Sequence, residues 1–297
     1  MPFDVMVVGG SYAGISAAMQ VARARRKVLV VDAGSRRNRF AVAAHGFLGG
    51  DGRDPAAIAA SARKELLAYP SVTWVEDTAV EASSTEHGFA LRLHSGAEHV
   101  GRRVILATGV VDELPAIPGI TERWGKTIFH CPYCHGYELD QGRIGVLATT
   151  ALSIHAAIML PDWGPTTYFT QGIFEPEDDK LPALERRHVG IEREPVTHIG
   201  GEGRVVEVHL RDGRVISLDG LFLLPKTRIA SPIPAQLGCE LDDGPHGTFL
   251  KTDPMKETSV RGVFACGDAA LPAGSVAFAV GDGARAGIAA HQSLVFR

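Results

Sequence analysis

Two cysteines separated by two residues are the clearest chemical feature of the sequence. Cys131 and Cys134 lie in the segment FHCPYCHGYE and form the one close cysteine pair of the 297-residue chain. In this spacing a thiolate is stabilised by its neighbour and by nearby donors, and the small ring closed on oxidation can open again. The pair is therefore predicted to be a reversible redox disulfide.

Zinc binding is the alternative interpretation, because the segment HCPYCH adds two imidazoles, His130 and His135, to the two thiols. One short segment can hardly wrap four ligands tetrahedrally around an ion, and the sequence has no second Cys-x-x-Cys. We therefore expect no metal at this site. The remaining cysteines, Cys239 after a turn glycine and Cys266 in an apolar strand, are expected to pack in the core.

A glycine-rich turn near the N-terminus indicates a dinucleotide site. It lies between an apolar strand and an amphipathic helix, and Asp32 ends the next strand. Glycines allow a tight turn and close helix packing, the helix N-terminus faces a pyrophosphate, and the acidic side chain accepts a ribose hydroxyl. The turn residues expected to bind the cofactor are Gly9, Gly10, Ser11, Ala13 and Gly14, of which Ser11 replaces the usual second glycine.

The elements that must position these residues alternate between strand and helix. The chain opens with DVMVV, a helix from Ala13 to about Ala24, and KVLVVDAG; a loop and a helix from about Pro55 to Leu67 follow. The runs VTWV, FALRL and RRVILATG are predicted to form a small antiparallel layer at the edge of a parallel sheet.

A second unit of strand, helix and strand begins at about Arg143. It comprises RIGVL, a helix from about Ala151 to Leu160, and TTYFT, and further along Asp212-Gly213 predicts a hairpin turn. Two such units form a weak internal repeat. The sequence therefore predicts an α/β protein with two Rossmann-like domains of the dinucleotide-binding type.

The composition limits the class of protein. With 45% hydrophobic residues the chain can bury two cores, and a net charge of -4 without a basic stripe argues against nucleic acid as a partner. The apolar stretches are too short or too interrupted to span a bilayer, and no secretory or transit signal is visible. We expect a soluble cytoplasmic protein with no membrane partner.

Three motifs in this order resemble those of the flavoproteins with two dinucleotide domains. They are the glycine turn, the segment ILATG with Thr108 and Gly109, and the segment VFACGDAA with Gly267 and Asp268. The resemblance implies FAD rather than NAD as the cofactor. It also implies that residues 1–115 and 243–297 form a discontinuous FAD-binding domain and that 116–242 form an inserted NAD(P)-binding-like domain.

The same resemblance implies further residues at the flavin. Ser275 and Val276, at the final helix, are expected to contact the cofactor, and His45, in the loop HGFLGGDG, is expected to approach the isoalloxazine ring. A loop histidine without a role is the open alternative for His45.

The position of the cysteine pair, just before the second unit, resembles that in the low-molecular-weight thioredoxin reductases, and this resemblance covers nearly the whole chain. It implies that Cys134 faces the flavin, that Cys131 attacks the substrate sulfur, and that the protein is a homodimer. His135 stands where that family usually carries an aspartate acid. A histidine there can still shuttle a proton near neutral pH.

The nicotinamide half of such a reductase departs from the family pattern. Where relatives carry Gly-x-Gly-x-x-Ala, this chain has Ala148 to Ser153 without a glycine, and Gln171-Gly172 stands where an arginine pair would clamp the 2′-phosphate. No acidic residue that would select NADH is expected at that strand end. The sequence predicts no use of NADPH, with binding through a diverged loop as the alternative.

This departure resembles the dithiol oxidases of the superfamily, such as those that close the disulfides of gliotoxin and holomycin, whose motif also runs Cys-x-x-Cys-His-Gly. The expected function is FAD-dependent electron exchange between the Cys131/Cys134 disulfide and an external dithiol or disulfide, on a small molecule or a thioredoxin-like protein. Oxygen or an electron-carrier protein is the expected second partner. The alternatives are an NADPH-dependent thioredoxin reductase, a ferredoxin-dependent thioredoxin reductase and a flavin redox sensor without turnover.

Overall fold

Strands and helices alternate along the chain, of which the computed structural model describes residues 2–297. The strands are β1 (Phe3–Val8), β2 (Val28–Asp32), β3 (Val72–Glu76), β4 (Ala79–Thr85), β5 (Gly88–Leu93), β6 (Glu98–Leu106), β7 (Val110–Glu113), β8 (Ile128–Phe129), β9 (Ile144–Leu147), β10 (Thr166–Phe169), β11 (Gly190–Glu192), β12 (Val196–Gly200), β13 (Val206–Leu210), β14 (Val215–Leu218), β15 (Gly220–Leu223), β16 (Lys226–Ile229), β17 (Leu241–Gly244), β18 (Gly247–Leu250) and β19 (Val263–Ala265). The α-helices are α1 (Tyr12–Arg23), α2 (Pro55–Leu67), α3 (Ile120–Arg123), α4 (Pro132–His135), α5 (Ser153–Met159), α6 (Leu181–Arg186), α7 (Ile233–Gln236) and α8 (Val276–Phe296).

The chain divides into two units. The first comprises the residues up to Arg39, Phe47–Val111 and Thr227–Arg297, and the second comprises Phe40–Gly46 and Asp112–Lys226. The sequence-based boundary at 242/243 differs from this division, because Ile233 and Leu237 are buried in the same core as Leu91 of the first unit. The short helix α7 gives no hydrophobic period from which its place could be inferred.

Parallel strands form the centre of the first unit. Its large sheet has the order β3-β2-β1-β6-β5-β4, with β19 paired to β6, and β1, β2, β3, β6 and β19 run parallel. The runs VMVV and VLVV are buried on both faces, as central parallel strands are. The prediction that VTWV belongs to an antiparallel layer is wrong: it forms β3, which is parallel to β2 after the crossover through α2.

The second unit repeats the parallel arrangement. Its five-stranded sheet has the order β11-β10-β9-β15-β8, and each neighbouring pair is parallel. The predicted strand-helix-strand unit is present as β9, α5 and β10, and the predicted hairpin at Asp212-Gly213 joins β13 to β14. Two Rossmann-like sheets in one α/β chain confirm the predicted fold class. Within residues 2–297 no helix combines the length and apolar character that crossing a bilayer requires.

Helices α1 and α8 of the first unit approach each other closely because glycines line the contact. A Cβ atom on Gly283 would overlap the carbonyl oxygen of Ala13, and one on Gly287 would overlap that of Ala17. Gly281 also lies on α8, but a Cβ there meets no described atom within 4 Å. The close distance between α8 and α1 therefore depends on the glycines of the face of α8 that packs on α1, and Gly281 lies off that face.

We expect Gly287→Ala and Gly281→Ala to change stability in opposite directions. Gly287→Ala forces the two helices apart and should lower the free energy of unfolding by about 1 to 3 kcal/mol. Gly281→Ala adds a methyl group in open space and should raise it by up to about 1 kcal/mol through the better helix propensity of alanine. Urea denaturation of both variants measures the difference, and equal effects of the two substitutions would contradict this account of the helix contact.

Candidate functional site

Each glycine of the N-terminal turn is held in a space that excludes a side chain. Gly9 has a φ of +106°, and a Cβ on it would overlap the carbonyl oxygen of Ala107. A Cβ on Gly14 would overlap the carbonyl oxygen of Gly9. The N–H of Gly10 donates to Asp32 Oδ1 at 3.1 Å. The turn is therefore tight, and the binding of a pyrophosphate by its backbone stays a prediction.

Three predicted motifs lie at the same edge of the parallel sheet. Val8 of β1 pairs with Leu106 of β6, and Leu106 pairs with Ala265 of β19. The glycine turn, Thr108-Gly109 and Gly267-Asp268 follow these strands directly, so all three emerge at adjacent carboxyl ends. Ligands of α/β folds bind at this edge.

The third motif continues into the start of α8. Asp268 Oδ2 lies 2.9 Å from Arg37 Nη1, and both side chains are largely buried. Ser275 caps the helix, because its hydroxyl oxygen accepts a hydrogen bond from the Phe278 N–H at 3.1 Å. Val276 is the first residue of α8. Ser275 and Val276 thus lie at the N-terminus of α8, and their expected contact with the cofactor stays a prediction.

A polar loop that the sequence analysis did not single out lies beside this edge. It is the run Ser35–Arg39, which follows Asp32 closely. The Nε of Arg36 and the Oδ1 of Asn38 are buried and have no hydrogen-bond partner among the described residues, and Asn38 Nδ2 donates to the Tyr12 hydroxyl at 3.2 Å. In the sequence, the polar run SRRNR soon after Asp32, the residue expected to bind the ribose, could have indicated this loop.

Buried polar atoms without partners test whether a cofactor fits this edge. Within residues 2–297 the Oγ1 of Thr108 is also buried without a partner, and Gly109 has a φ of +66° with open space around its Cα. Burying polar atoms unpaired costs about 1 to 3 kcal/mol each, so such atoms in one place indicate a ligand that supplies the missing bonds. The residues present fit FAD.

The cysteine pair lies in the second unit, at the start of α4. Cys131 and Cys134 form a disulfide with a Cα–Cα distance of 5.3 Å, and both are half-buried. Gly136, two residues after Cys134, packs against the Trp163 ring, and a Cβ atom on this glycine would overlap the ring. Within the described part of the chain no three His, Cys, Asp or Glu side chains are grouped as a metal site would need.

The two remaining cysteines are free thiols in the first unit. Cys266 is fully buried, and Cys239 is partly buried against the core. Burial raises the pKa of both thiols. They therefore stay protonated and unreactive at neutral pH, as residues that only pack do.

The environment of His135 differs from the one expected. Its ring stacks on Phe129 with centroids 4.4 Å apart. Burial, and to a smaller extent the charge of neighbouring His45, lowers the pKa of His135 to about 4. The imidazole is therefore neutral at pH 7 and can accept a proton, whereas a proton shuttle titrating near neutral pH was predicted.

His45 belongs to the second unit, in the segment Phe40–Gly46. Its Nδ1 lies 3.4 Å from Glu138 Oε1. The structure thus brings His45 together with the cysteine-bearing segment through Glu138. Its expected contact with the flavin stays a prediction.

The turn between β9 and α5 of the second unit has a different structure from the glycine turn. Ser153 is fully buried, and its Oγ accepts hydrogen bonds from the backbone N–H groups of Thr149 and Thr150, at 3.1 and 3.3 Å. In a nucleotide-binding turn these backbone donors face the phosphates. Here a side chain of the same turn already takes them.

The end of β10 also carries a bonded network in place of the arginine pair. Gln171 has a φ of +63°, and its Oε1 accepts from the Val196 N–H at 3.1 Å. The Thr170 hydroxyl donates to Glu175 Oε1 at 2.6 Å, and Glu175 Oε2 lies 3.0 Å from Arg193 Nε. Glu175, which the sequence analysis did not single out, is thus returned to this strand end by the chain, and the expectation that no acidic residue here selects NADH stays a prediction.

Comparison with known proteins places these features in a family context. Residues 3–159 match the family described as pyridine nucleotide-disulphide oxidoreductase. The thioredoxin reductase sirT of Leptosphaeria maculans is 33% identical in an alignment 305 positions long, gaps included, which covers 96% of this chain and 92% of that protein. An oxidoreductase structure from Agrobacterium tumefaciens has 54% identity and a TM-score of 0.96, covering 100% of this chain and 99% of its own. The structure of HlmI has 35% identity and a TM-score of 0.90, covering 99% and 93%.

The low pKa of His135 predicts a pH dependence of stability. Between pH 6.5 and 4 the unfolded chain binds a proton at this imidazole and the folded chain does not, so the free energy of unfolding falls as the pH falls. We expect this residue to account for a loss of about 2 kcal/mol between pH 7 and 5. His135→Gln should remove that part of the slope in urea denaturation, whereas His87→Gln, at an exposed histidine, should leave it. Parallel pH profiles for wild type and His135→Gln would refute the prediction.

Proposed function

The chain belongs to the pyridine nucleotide-disulphide oxidoreductase family, and from that premise we propose that it is an FAD-dependent dithiol oxidase. It is a thioredoxin reductase-like oxidoreductase and flavoprotein by this membership. The proposal adds that electrons enter through an external dithiol at Cys131 and Cys134, without NADPH. Gly9, Gly14, Asp32, Thr108 and Asp268 would hold the FAD.

The observation that carries the proposal is the hydrogen bonding within the turn between β9 and α5. The Ser153 hydroxyl occupies the N–H groups of Thr149 and Thr150, which a nicotinamide dinucleotide would need for its phosphates. A competing ligand must break both bonds and displace a fully buried hydroxyl. This supports the loss of nucleotide binding more directly than the missing glycines do.

The end of β10 supports the same conclusion. Glu175 would repel a 2′-phosphate, whereas an arginine pair would bind it. Its two carboxylate oxygens each have a protein partner, Thr170 and Arg193, which orient the carboxylate within the network at the end of β10. Loss of two or three charge-assisted contacts weakens binding by roughly two to six orders of magnitude.

The reaction proposed is a thiol-disulfide exchange that conserves two electrons and two protons. One substrate thiolate attacks Cys131 Sγ and displaces the Cys134 thiolate, which leaves a mixed disulfide between the substrate and Cys131. The second substrate thiol then attacks the substrate sulfur of this mixed disulfide and releases the Cys131 thiolate. The substrate disulfide leaves with two electrons fewer, which the cysteine pair has gained. When bound, FAD would supply the two-electron acceptor for the reduced cysteine pair, with molecular oxygen as the terminal oxidant and hydrogen peroxide as its product.

His135 would assist by taking a proton from the attacking or leaving thiol. The imidazole is neutral at pH 7 because its pKa is about 4, and as a weak base it would hold the proton only briefly before passing it on. It follows Cys134 directly in the sequence and lies in the same short helix. His45, which is near both His135 and Glu138, is the group most able to influence that proton.

A thioredoxin reductase is the second candidate, favoured by the name of sirT. It would use the same cysteine pair in the opposite direction, with electrons entering from a nicotinamide and leaving to a disulfide. Direct measurement of which donor reduces the flavin separates the two.

The source of electrons is testable by anaerobic titration of the purified holoprotein. We expect one FAD per chain, no bleaching of the flavin by stoichiometric NADPH or NADH, full bleaching by dithiothreitol, and return of the colour with peroxide formation in air. A double variant Cys131→Ser/Cys134→Ser is the matched control, which dithionite but not dithiothreitol should reduce. Rapid bleaching of the flavin by NADPH or NADH would contradict the proposal and show that the protein is a nicotinamide-dependent reductase.

The two cysteines are expected to differ in their spectra. By the family resemblance Cys134 is the thiol that meets the flavin, so Cys131→Ser should leave a thiolate beside the ring and a long-wavelength charge-transfer band. Cys134→Ser should show no such band. Absorbance spectra of the two single variants decide the assignment, and the reverse pattern would exchange the two roles.

A further inference from the structure

A buried ion pair in the first unit has no role in the chemistry described above. Lys256 Nζ lies 3.1 Å from Asp282 Oδ1, and each side chain is only 5% exposed. Removing two charges from water costs several kcal/mol per ion and is repaid only with excellent geometry, so a buried pair is weak evidence for stability. The burial of Lys256 and Asp282 together therefore needs an explanation other than a gain in stability.

The second oxygen of Asp282 links the pair to the third flavin motif. Asp282 Oδ2 accepts a hydrogen bond from the N–H of Gly267 at 3.0 Å, and this bond is buried. Gly267 has a φ of +68° and begins the short turn that carries Asp268. The carboxylate therefore bridges the Lys256 ammonium and the backbone of the turn.

Lys256 is itself held in place by the backbone of its loop. Its φ of +64° is in the left-handed region, which is unfavourable for lysine. Its N–H donates to the Asp253 carbonyl, and its own carbonyl accepts from the Ala265 N–H, both at 3.0 Å. Ala265 ends β19, so the backbone of Lys256 is tied to the strand that leads into the turn. Strained residues fixed on several sides occur where an exact position matters to function.

We propose that Lys256 and Asp282 are a positioning pair for the flavin, which set the Gly267 amide and hence the placement of Asp268. The proposal rests on the flavin part of the proposed function. Lys256 neutralises the buried carboxylate, and the carboxylate fixes the turn. Neither side chain is assigned a contact with the cofactor.

The test separates positioning from packing by removing one charge or both. Lys256→Met leaves Asp282 buried without its cation, whereas Lys256→Met/Asp282→Leu leaves no buried charge but deprives the Gly267 N–H of its acceptor. Lys256→Arg keeps the charge. Lys251→Met, in an exposed pair of the same unit with Glu240 at 3.1 Å, is the control. The readout is the Kd for FAD, measured by fluorescence of the flavin released on dilution of each holoprotein, with circular dichroism as the check of folding.

We expect Lys256→Met and the double variant each to weaken FAD binding by about 10- to 100-fold, the range for one charge-assisted hydrogen bond. Lys256→Arg and Lys251→Met should change the Kd by less than about fivefold. The proposal is overturned if the double variant regains the wild-type Kd, which would mark the pair as packing alone. It is overturned too if Lys256→Met binds FAD as wild type does. If Lys256→Met does not fold, the double variant decides. Absence of FAD from the wild-type protein would instead contradict the proposed function.

Discussion

The close approach of α8 to α1 is the constraint on which the first unit depends. These helices belong to opposite ends of the chain, and backbone meets backbone between them because Gly283 and Gly287 carry no side chains. A Cβ on Gly267 would likewise crowd Ala13, one residue before Gly14. The contact thus brings the turn after β19 against the helix that follows the glycine turn. A site made from both ends of the chain needs such a contact, because no covalent connection holds its parts in register.

The same kind of turn has two outcomes in the two units. In the first, glycines hold the turn close to neighbouring backbone, and buried polar atoms of Thr108, Arg36 and Asn38 lack partners within the described residues. In the second, Ser153 takes the donors of Thr149 and Thr150, and Gln171 bonds to the backbone of β12. Backbone polar groups that are buried must be bonded to something. The backbone donors of the second turn are bonded within it, although the Thr150 hydroxyl and the Gln171 side-chain amide nitrogen are themselves buried without a partner among the described residues.

Local signals in the sequence were enough to predict the elements that position the site. The glycine turn, Asp32 and the hairpin at Asp212-Gly213 each depend on backbone geometry set by neighbours in sequence, and the structure places them as predicted. The direction of β3 and the place of α7 depend on tertiary pairing and burial that no local period encodes. Glu175 was missed because the chain returns it to the strand end through a loop, and the Lys256–Asp282 pair was missed because the two residues are distant in sequence.

The neutral state of His135 shows how a residue type can suggest one chemistry and its surroundings another. A histidine beside a redox cysteine suggests titration near pH 7, but stacking on Phe129 and burial remove the water that would stabilise the imidazolium. An imidazole with a pKa of about 4 is neutral at pH 7 but is a weak base, because a thiol with a pKa near 8.5 holds its proton far more tightly. Oxidising a dithiol requires its protons to be accepted, whereas reducing a disulfide requires protons to be delivered. At pH 7 the buried imidazole has no proton to deliver and holds an accepted proton only briefly, so beside the cysteine pair it can relay a proton but cannot store one.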